Sequence, residues 1–367
     1  MKILFTLNSS NFGGMEQTVL DLVQGLGFEF EKFVICPEGD LTPNFKTFSK
    51  VILHPKIKSF DLAYIKFLIK FIKENEIEVI HANEPRIVFH SMVAGFLAGV
   101  RVRISHTHTP ISMWQIPWTK KIFNLVLNSL VINFLSTKEI ALSDSIKKQK
   151  IKELVLPSKL VVIPNCLDPT FITNIANYKK PRKTILSKLK IEDKFVFLYL
   201  SRLTKEKNQK LLIEAFYSLC KTNNDSILVI AGKGSDYEVL KKRISALNLE
   251  KRIFILNEVS DADKIDLYMS SDCFVFPTLA EGFGITLIEA MFSCYPVISS
   301  NLDVLKEVSG NKVLFFKNNN QKSLTSKLKE ALKLKEGPSK LVENKKFVLA
   351  NYSTEKYIEN YESLYKN

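Results

Sequence analysis

The chain has 367 residues, of which 46 % are hydrophobic and 25 % charged, and its formal net charge is +14. This length is too great for one ordinary core and predicts two domains, and the composition is that of a soluble globular protein. The excess of basic charge favours an anionic partner, such as a phosphate ligand, an acidic membrane surface or nucleic acid. The alternative is that the charge has no functional cause and reflects a Lys-rich composition imposed by an A+T-rich genome.

The cysteines and the apolar segments indicate the compartment. Five cysteines are odd in number and widely spaced, with no CxxC or Cys/His cluster, so neither a disulfide framework nor a zinc site is indicated. The N-terminus, MKILFTLNSSNFGG, is too short and polar for a signal peptide, and the uncharged stretch 122–135 is too short to span a bilayer. We therefore expect a cytoplasmic protein.

Strand and helix patterns alternate through the first half of the chain. Short apolar runs predict strands, and amphipathic runs predict helices at 14–26 and 61–75. The predicted strands are 2–7, 32–37, 78–83, 102–108, 139–143 and 160–165. This alternation predicts a parallel sheet covered by helices in a domain of residues 1–168.

The alternation stops at 169–190, which we interpret as an interdomain linker, and restarts in a second domain of residues 191–352. The predicted strands there are 195–201, 227–232, 252–256, 273–277 and 296–300, and the predicted helices are 207–221, 236–247, 261–270 and 285–294. A final helix, 353–367, is expected to pack back on the first domain. The fold class is therefore α/β, with two doubly wound Rossmann-like domains facing a cleft and ligand at the carboxyl ends of their strands.

Three loops between a predicted strand and a predicted helix carry candidate ligand groups. Gly13 and Gly14 allow close approach of the backbone to an anion at a helix N-terminus. Arg202 and Lys207 lie just past a strand end, where two cations suit a diphosphate. Gly232 opens a G-x-G turn that is too incomplete for a dinucleotide motif but is compatible with a nucleotide nearby.

A fourth loop, in EGFGITLIE, places two carboxylates around a tight turn. Gly282 and Gly284 permit a turn whose amide groups point at a sugar or a phosphate, and Glu281 lies in the loop itself. Glu289 lies about two turns into the following helix, among apolar neighbours. Ionised carboxylates accept hydrogen bonds strongly, which suits the vicinal hydroxyls of sugars.

The motifs of the whole chain, taken in order, are more specific than any one of them. They are NFGGMEQTVLDL, HTHT, ALSDSIKK, VVIPNCLD, LSRLTKEKNQKLLIEAF, LVIAGKGS, YMSSDCFVFPTLAEGFG, EGFGITLIEAM with its E-x7-E spacing, and PVISSN. In this order they resemble the retaining glycosyltransferases of family 4, which have the two-domain GT-B fold. Three positions depart from the family pattern, since Ser201, Cys166 and Asn257 stand where glycine is usual; these departures affect turn geometry and remove no charged ligand group.

The resemblance implies roles for the charged residues. Arg202 and Lys207 would bind the diphosphate of a nucleotide-diphosphate sugar, which is a substrate and not a cofactor. Glu289 would hold the ribose of the nucleotide, and Glu281 would contact the transferred sugar. A front-face transfer, in which the leaving phosphate accepts the proton of the acceptor, is the mechanism that the resemblance implies.

The resemblance also implies contacts from the backbone and from one histidine. The amide groups after Phe283, at Gly284 and Ile285, would meet the sugar and the distal phosphate, and Gly14 would lie under the phosphates. A histidine of SHTHT would lie beside the reacting sugar. His106 and His108 are two residues apart and on a strand would share a face, and we favour His108 because it is nearer the loop.

Other functions and a metal site are weighed against this interpretation. A sugar-nucleotide epimerase and a non-catalytic nucleotide-sugar binder would use the same scaffold. DAD at 261–263 matches a metal-binding D-x-D motif, but it opens a predicted helix whose N-terminus favours acids, so we expect no metal. No basic stripe with interleaved aromatic residues indicates nucleic acid.

The acceptor side of the chain carries a segment that is typical of a lipid–water boundary. The stretch 110–130 follows SHTHT and combines Trp114, Trp118, Lys120 and Lys121 with apolar residues. With the net charge of +14, it predicts a peripheral enzyme at the inner face of the cell membrane, with a lipid-linked or saccharide acceptor. Alternatively, the two tryptophans and the helix 122–135 pack in the domain core.

Overall fold

The computed structural model describes residues 1–57, 60–179, 194–334 and 337–366. The chain divides into two compact units. The first unit comprises Met1–Cys166 together with the segment that begins at Tyr352, and the second runs from Leu167 to Asn351. Each unit is built on one parallel sheet, which confirms the predicted α/β class with two doubly wound units.

The first unit contains a seven-stranded parallel sheet in the order β3-β2-β1-β4-β5-β6-β7. Its strands are β1 Lys2–Thr6, β2 Glu31–Cys36, β3 Lys50–Leu53, β4 Val79–Asn83, β5 Val102–His106, β6 Lys138–Ala141 and β7 Leu160–Val162. Its helices are α1 Gly14–Gly25, α2 Thr42–Phe48, α3 Leu62–Asn75, α4 Pro85–Leu97, α5 Trp118–Leu135, α6 Asp144–Lys152 and, at the end of the chain, α15 Thr354–Lys366. The order reverses between β1 and β4, so the crevice that binds ligands in such sheets lies at their carboxyl ends.

The second unit contains a six-stranded parallel sheet in the order β10-β9-β8-β11-β12-β13. Its strands are β8 Phe195–Leu200, β9 Ser226–Ala231, β10 Ile253–Leu256, β11 Cys273–Phe276, β12 Val297–Ser300 and β13 Leu314–Phe316. Its described helices are α7 Pro169–Ala176, α8 Gln209–Cys220, α9 Tyr237–Ala246, α10 Asp261–Ser270, α11 Ile285–Ser293, α12 Asp303–Val308, α13 Gln321–Ala331 and α14 Gly337–Asn351. Here the order reverses between β8 and β11.

Local chemistry explains where individual elements begin and end. Strands β4 and β9 are buried along their whole length, as expected for a sheet covered on both faces by helices. Helix α3 begins after Asp61, whose carboxylate accepts from the backbone amide of Tyr64 at 3.0 Å. The residue after its end, Glu76, takes a left-handed conformation with φ of 52° and donates its amide to the carbonyls of Ile72 and Lys73.

The last helix, α15, packs within the first unit through one row of tyrosines. Tyr357, Tyr361 and Tyr365 are four residues apart, share one face and are buried. The Tyr357 hydroxyl donates to the carbonyl of Thr18 in α1 at 3.0 Å, and the Tyr365 hydroxyl lies 2.6 Å from Nδ1 of His81 in β4. The row therefore joins the last helix to α1 and β4 of the first unit.

The structure differs from the sequence-based prediction at several short elements. Strands β3 and β13, of four and three residues, were not predicted. The first part of the predicted linker forms helix α7, whose Phe171 packs edge-on against Tyr268 at 5.6 Å; residues 180–190 of that linker lie outside the described residues. The strand predicted at 102–108 ends at His106, and the helix predicted from 207 begins at Gln209 after a 3-10 turn.

Helix α5 carries an apolar row on its solvent side. Trp118 is 73 % exposed, and the residues that follow it at intervals of four along the helix are exposed as well. The members of this row are Trp118, Ile122, Val126, Leu130 and Phe134. No described helix combines the length and the apolar character that crossing a bilayer requires. The alternative in which both tryptophans are core residues is therefore wrong for Trp118, whereas Trp114 is half-buried.

Candidate active site

In the second unit, the predicted cations and carboxylates follow the two strands at the point where the strand order reverses. Lys207 closes the 3-10 turn Lys205–Lys207 after β8, and Glu281 lies in the loop after β11. The two loops are joined because the carbonyl of Glu206 accepts from the amide of Leu279 at 2.8 Å and from the Thr278 hydroxyl at 3.2 Å. This connection fixes the positions of Lys207 and Glu281 relative to each other.

Lys207 and Glu281 form a salt bridge. The ammonium of Lys207 donates to Oε1 of Glu281, and the side chain of each residue is only 11 % exposed. The ammonium also lies 5.7 Å from the centroid of the Phe276 ring. A buried ammonium requires a partner of this kind, so the pair keeps a cation at the sheet edge with little water around it.

Arg202 differs from Lys207 because its backbone is fixed and its side chain is exposed. Its carbonyl accepts from the Gln209 amide at 2.7 Å and from the Tyr199 hydroxyl at 3.2 Å. The guanidinium side chain is 69 % exposed and lies 3.7 Å from Oε1 of Glu206, a surface pair that contributes little to stability. The Arg202 guanidinium can therefore turn to an anion at low cost.

Glu289 is buried and is held by two side chains of the neighbouring helix α10. Lys264 donates to Oε1 of Glu289 at 2.5 Å, and the Tyr268 hydroxyl donates to Oε2 at 3.0 Å. Burial, and then the Glu289 charge, raise the pKa of Tyr268 well above its usual value. The sequence analysis named Glu289 as a ligand group but missed Lys264. Lys264 and Tyr268 are four residues apart in α10, and this spacing was the signal that their side chains lie on the same face of the helix.

The Gly-Phe-Gly turn after β11 has the tight geometry expected of it. Phe283 is buried, and Gly284 takes a left-handed conformation with φ of 96° immediately before Ile285 opens helix α11. A Cβ atom on Gly284 would lie 2.9 Å from a methyl group of Leu305. Gly284 and Gly282 bring no side chains, so nothing of theirs covers the first amide groups of the helix.

A close backbone contact requires a glycine at position 232, directly after β9. Its φ is 142°, and a Cβ atom there would lie 2.0 Å from the carbonyl oxygen of Ser201. The amide of Leu203 donates to the carbonyl of Lys233 at 2.8 Å, so the two loops touch through their backbones. Gly232 thus holds the loop that carries Arg202, and its proposed contact with the donor remains a prediction.

In the first unit, Gly13 and Gly14 lie at the start of helix α1. Gly13 is extended and precedes the helix, and Gly14 is its exposed first residue. The carboxylate of Glu16 reaches back over Gly13, since a Cβ atom there would lie 2.3 Å from Oε2. No side chain caps this helix end among the described residues.

The two histidines of SHTHT stack face to face at the end of β5. Their ring centroids are 3.7 Å apart, so both side chains share one side as predicted. His106 is buried between His81 and His108, whereas His108 is only half-buried and its Nε2 lies 3.1 Å from Oδ1 of Asn83 at the end of β4. Burial, followed by repulsion from His108 when that ring is protonated, lowers the pKa of His106 well below 6.5, and burial lowers the pKa of His108 to about 3, so both rings are uncharged at neutral pH. The geometry favours His108 over His106 for contact with a ligand.

A buried charged network between the two histidines was missed by sequence reasoning. Lys150 of α6 donates to the carbonyl of Thr107 at 2.8 Å and to the carboxylate of Glu139 in β6, and Glu139 also accepts from the amide of Thr107 at 3.2 Å. Lys150 and Glu139 are 1 % and 0 % exposed. Their contacts join residues that are far apart in sequence, so no sequence pattern indicates them. The network fixes the backbone at Thr107, between His106 and His108.

In the fold comparison, the chain is similar over its whole length to Anabaena Alr3699/HepE, solved in complex with UDP-glucose, with a TM-score of 0.84, 20 % identity and 100 % of each chain covered. Residues 12–171 match the family model described as Glycosyltransferase Family 4, and residues 181–347 match the one described as Glycosyl transferases group 1. The fold and these matches define a glycosyltransferase of the GT-B class.

Two relatives show the family to which the chain belongs. The capsular polysaccharide biosynthesis glycosyltransferase CapH of Staphylococcus aureus is 30 % identical over 321 residues, 84 % of each chain. The UDP-Gal:alpha-D-GlcNAc-diphosphoundecaprenol alpha-1,3-galactosyltransferase of Escherichia coli is 30 % identical over 249 residues, 66 % of this chain and 62 % of that protein. The chain belongs to glycosyltransferase family 4.

The buried network yields a stability prediction. Lys150→Met leaves the Glu139 carboxylate buried without its cation, so we expect the free energy of unfolding to fall by about 3–5 kcal/mol. The double variant Glu139→Leu/Lys150→Met removes both charges and is expected to recover most of that loss. Urea unfolding followed by tryptophan fluorescence checks this, because both tryptophans lie in the first unit. Equal destabilisation of the single and double variants would contradict it.

Proposed function

We propose that the protein transfers a sugar from a nucleotide-diphosphate sugar to an acceptor in polysaccharide or glycolipid synthesis, with retention at the anomeric carbon. The salt bridge of Lys207 with Glu281, beside the exposed Arg202 at the strand-order reversal, is the observation that carries this proposal. The names of the two relatives and the UDP-glucose complex of the similar structure support both the donor class and the pathway class.

In this proposal Arg202 and Lys207 bind the diphosphate, and Glu281 contacts the sugar. Glu289 accepts from the ribose hydroxyls, since an ionised carboxylate has about four acceptor positions and Lys264 and Tyr268 use two of them. The amide groups from Gly284 onward contact the distal phosphate, with Gly13, Gly14 and Gly232 in supporting positions.

The proposed chemistry is a front-face transfer. The bond from the anomeric carbon to the leaving phosphate oxygen breaks while the acceptor oxygen bonds to the same face of that carbon, and the acceptor proton passes to the leaving phosphate. Arg202 and Lys207 stabilise the charge that develops on the leaving diphosphate. An epimerase on this scaffold would form product without an acceptor, so acceptor dependence separates the two.

The first prediction of the proposed function concerns the donor site. Lys207→Ala and Arg202→Ala are expected to lower turnover by roughly 10²-fold or more, the scale for removing a group that stabilises the transition-state charge. Lys205→Ala is the matched control, since Lys205 lies in the same turn and is exposed. Transfer is measured with a panel of nucleotide sugars. Wild-type rates in the Lys207 and Arg202 variants would refute the roles.

A companion binding measurement separates the two carboxylates. Glu289→Gln is expected to weaken binding of the free nucleoside diphosphate, which contains the ribose. Glu281→Gln is expected to keep that affinity, because the free diphosphate lacks the sugar and Lys207 loses the carboxylate that competes for it. The reverse pattern would exchange the two roles.

The second prediction is that donor binding and turnover need no divalent metal, since two cations and a helix N-terminus act on the leaving diphosphate. Asp263 of the DAD segment accepts from the Ser260 hydroxyl at 2.7 Å in a capping box, which gives that acid a helix-end role. Turnover is measured in excess EDTA and again after Mg²⁺ or Mn²⁺ is restored. A complete loss that either metal reverses would overturn the prediction.

We also propose a peripheral location at the inner face of the cell membrane, with a lipid-linked or saccharide acceptor. The exposed apolar row of α5 and the adjacent Lys120 and Lys121 give the combination that interfacial helices use, and the net charge of +14 would attract anionic lipid. None of the five cysteines, all of which lie among the described residues, forms a disulfide, which supports a reducing compartment.

The third prediction tests this location by vesicle co-sedimentation. Binding to phosphatidylglycerol vesicles at low salt is expected to exceed binding to phosphatidylcholine vesicles and to fall at high salt. Trp118→Ser is expected to weaken it by about tenfold, the effect of losing part of a side chain's apolar burial. Val239→Ser, an exposed apolar residue of the second unit, is the control. Equal, negligible binding to both vesicle types rules out the electrostatic contribution, and unchanged binding of Trp118→Ser rules out the aromatic one.

A further inference from the structure

A cavity of about 700 Å³ lies between helices α4 and α5 of the first unit. This volume is in the range of small-molecule sites. Its apolar wall includes Phe60, Phe89, Phe123, Leu127 and Val131, with Phe60 and Phe89 packed edge-on at 5.4 Å. A ligand that fills it must therefore present an apolar chain or ring.

The charged end of the cavity lies at the carboxyl edge of the sheet. Glu84 directly follows β4, Arg86 is in the first turn of α4, and Lys120 is in the first turn of α5. Arg86 and Lys120 are exposed residues, and together with Glu84 they carry one more positive than negative charge. This end therefore favours an anionic group, and the guanidinium and ammonium suit phosphate.

Two features connect this end to the candidate active site. Glu84 has a left-handed backbone with φ of 78°, which is strained for a residue with a side chain, and its amide donates to the carbonyl of His106 at 3.1 Å. Its neighbour Asn83 contacts the His108 ring. A ligand group at the cavity mouth thus lies one residue from the Asn83–His108 contact.

Asn128 gives an independent sign of a ligand. It is 8 % exposed, it lies on the cavity wall, and no hydrogen bond joins its side-chain amide to another of the described residues. The amide group therefore has hydrogen-bonding capacity that no described residue uses, and a polar group of a ligand in the cavity could pair with it.

We infer that this cavity binds the lipid part of the acceptor, and that the acceptor is an amphiphile with a phosphate group between its hydrocarbon chain and the hydroxyl-bearing head group that receives the sugar. The phosphate lies between Arg86 and Lys120, a polar atom meets Asn128, and the chain lies along Phe89, Phe123 and Val131. This inference rests on the proposed transferase function and names its acceptor class. A prenyl diphosphate and a phospholipid share this chemistry, and the experiment separates them.

The protein offers a direct reporter of occupancy. It has two tryptophans, and Trp114 lines the cavity whereas Trp118 does not. In Trp118→Phe, the fluorescence of Trp114 alone is followed during titration with farnesyl diphosphate and with dihexanoyl phosphatidic acid. Inorganic diphosphate and farnesol supply the charge and the chain separately. At least one amphiphile is expected to bind tenfold or more tightly than either fragment, and the better one identifies the source. Amphiphiles that bind no better than farnesol would overturn the inference.

Variants in the Trp118→Phe background locate the binding. Lys120→Ala and Arg86→Ala are each expected to lower the affinity for the better amphiphile about tenfold, and Asn128→Leu about fivefold. Lys148→Ala is the charge-matched control, because Lys148 is exposed and lies outside the cavity. Circular dichroism confirms folding, and the two surface-charge variants serve if Asn128→Leu does not fold. Affinities equal to the control in all three would overturn the inference.

A readout in the second unit keeps this inference distinct from the proposed function. Binding of nucleoside diphosphate depends on Lys207 and Glu289 and is expected to be unchanged in the cavity variants. Loss of amphiphile binding with nucleotide binding intact supports the cavity assignment. Failure of the wild-type protein to transfer sugar from any donor, with Trp114 still reporting amphiphile binding, would count against the transferase function and not against the cavity as an amphiphile site.

Discussion

The salt bridge between Lys207 and Glu281 is the interaction on which the proposed chemistry of the second unit depends. An ammonium at the carboxyl edge of a parallel sheet needs a compensating charge when its side chain is almost enclosed. The loop after β11 supplies that charge, and the carbonyl of Glu206 fixes the two loops together. The pair therefore holds an ammonium group where little water screens it. An ammonium in such a position attracts a phosphate more strongly than one at an open surface.

The first unit uses the same principle for a different purpose. Lys150 and Glu139 neutralise each other in the core, and their contacts with Thr107 fix the backbone between two stacked histidines. Both units thus place a lysine–glutamate pair beside a strand end that carries candidate ligand groups. In the second unit the pair itself belongs to the candidate site, whereas in the first it only positions the site.

Periodicity and motif order predicted the two parallel α/β units, most strands and the residues at the strand ends. These features are local, since a strand, its loop and its helix are consecutive in sequence. Lys264 with Glu289 and Lys150 with Glu139 were missed because each pair joins residues of different elements, and only the packing of those elements brings them together. The sequence did not predict which face of α5 is exposed. That helix is apolar on most sides, so its pattern does not distinguish the core face from the solvent face.

The position of helix α15 has a consequence for how the chain acquires its structure. The first unit is completed by residues from Tyr352 onward, which are synthesised after the whole of the second unit. Until they emerge, the side of β4 that holds His81 lacks the tyrosine row that buries it. The amino-terminal unit therefore cannot finish folding first, although domains usually fold in the order of synthesis. A fragment intended to represent this unit alone must include both of its separated stretches of chain.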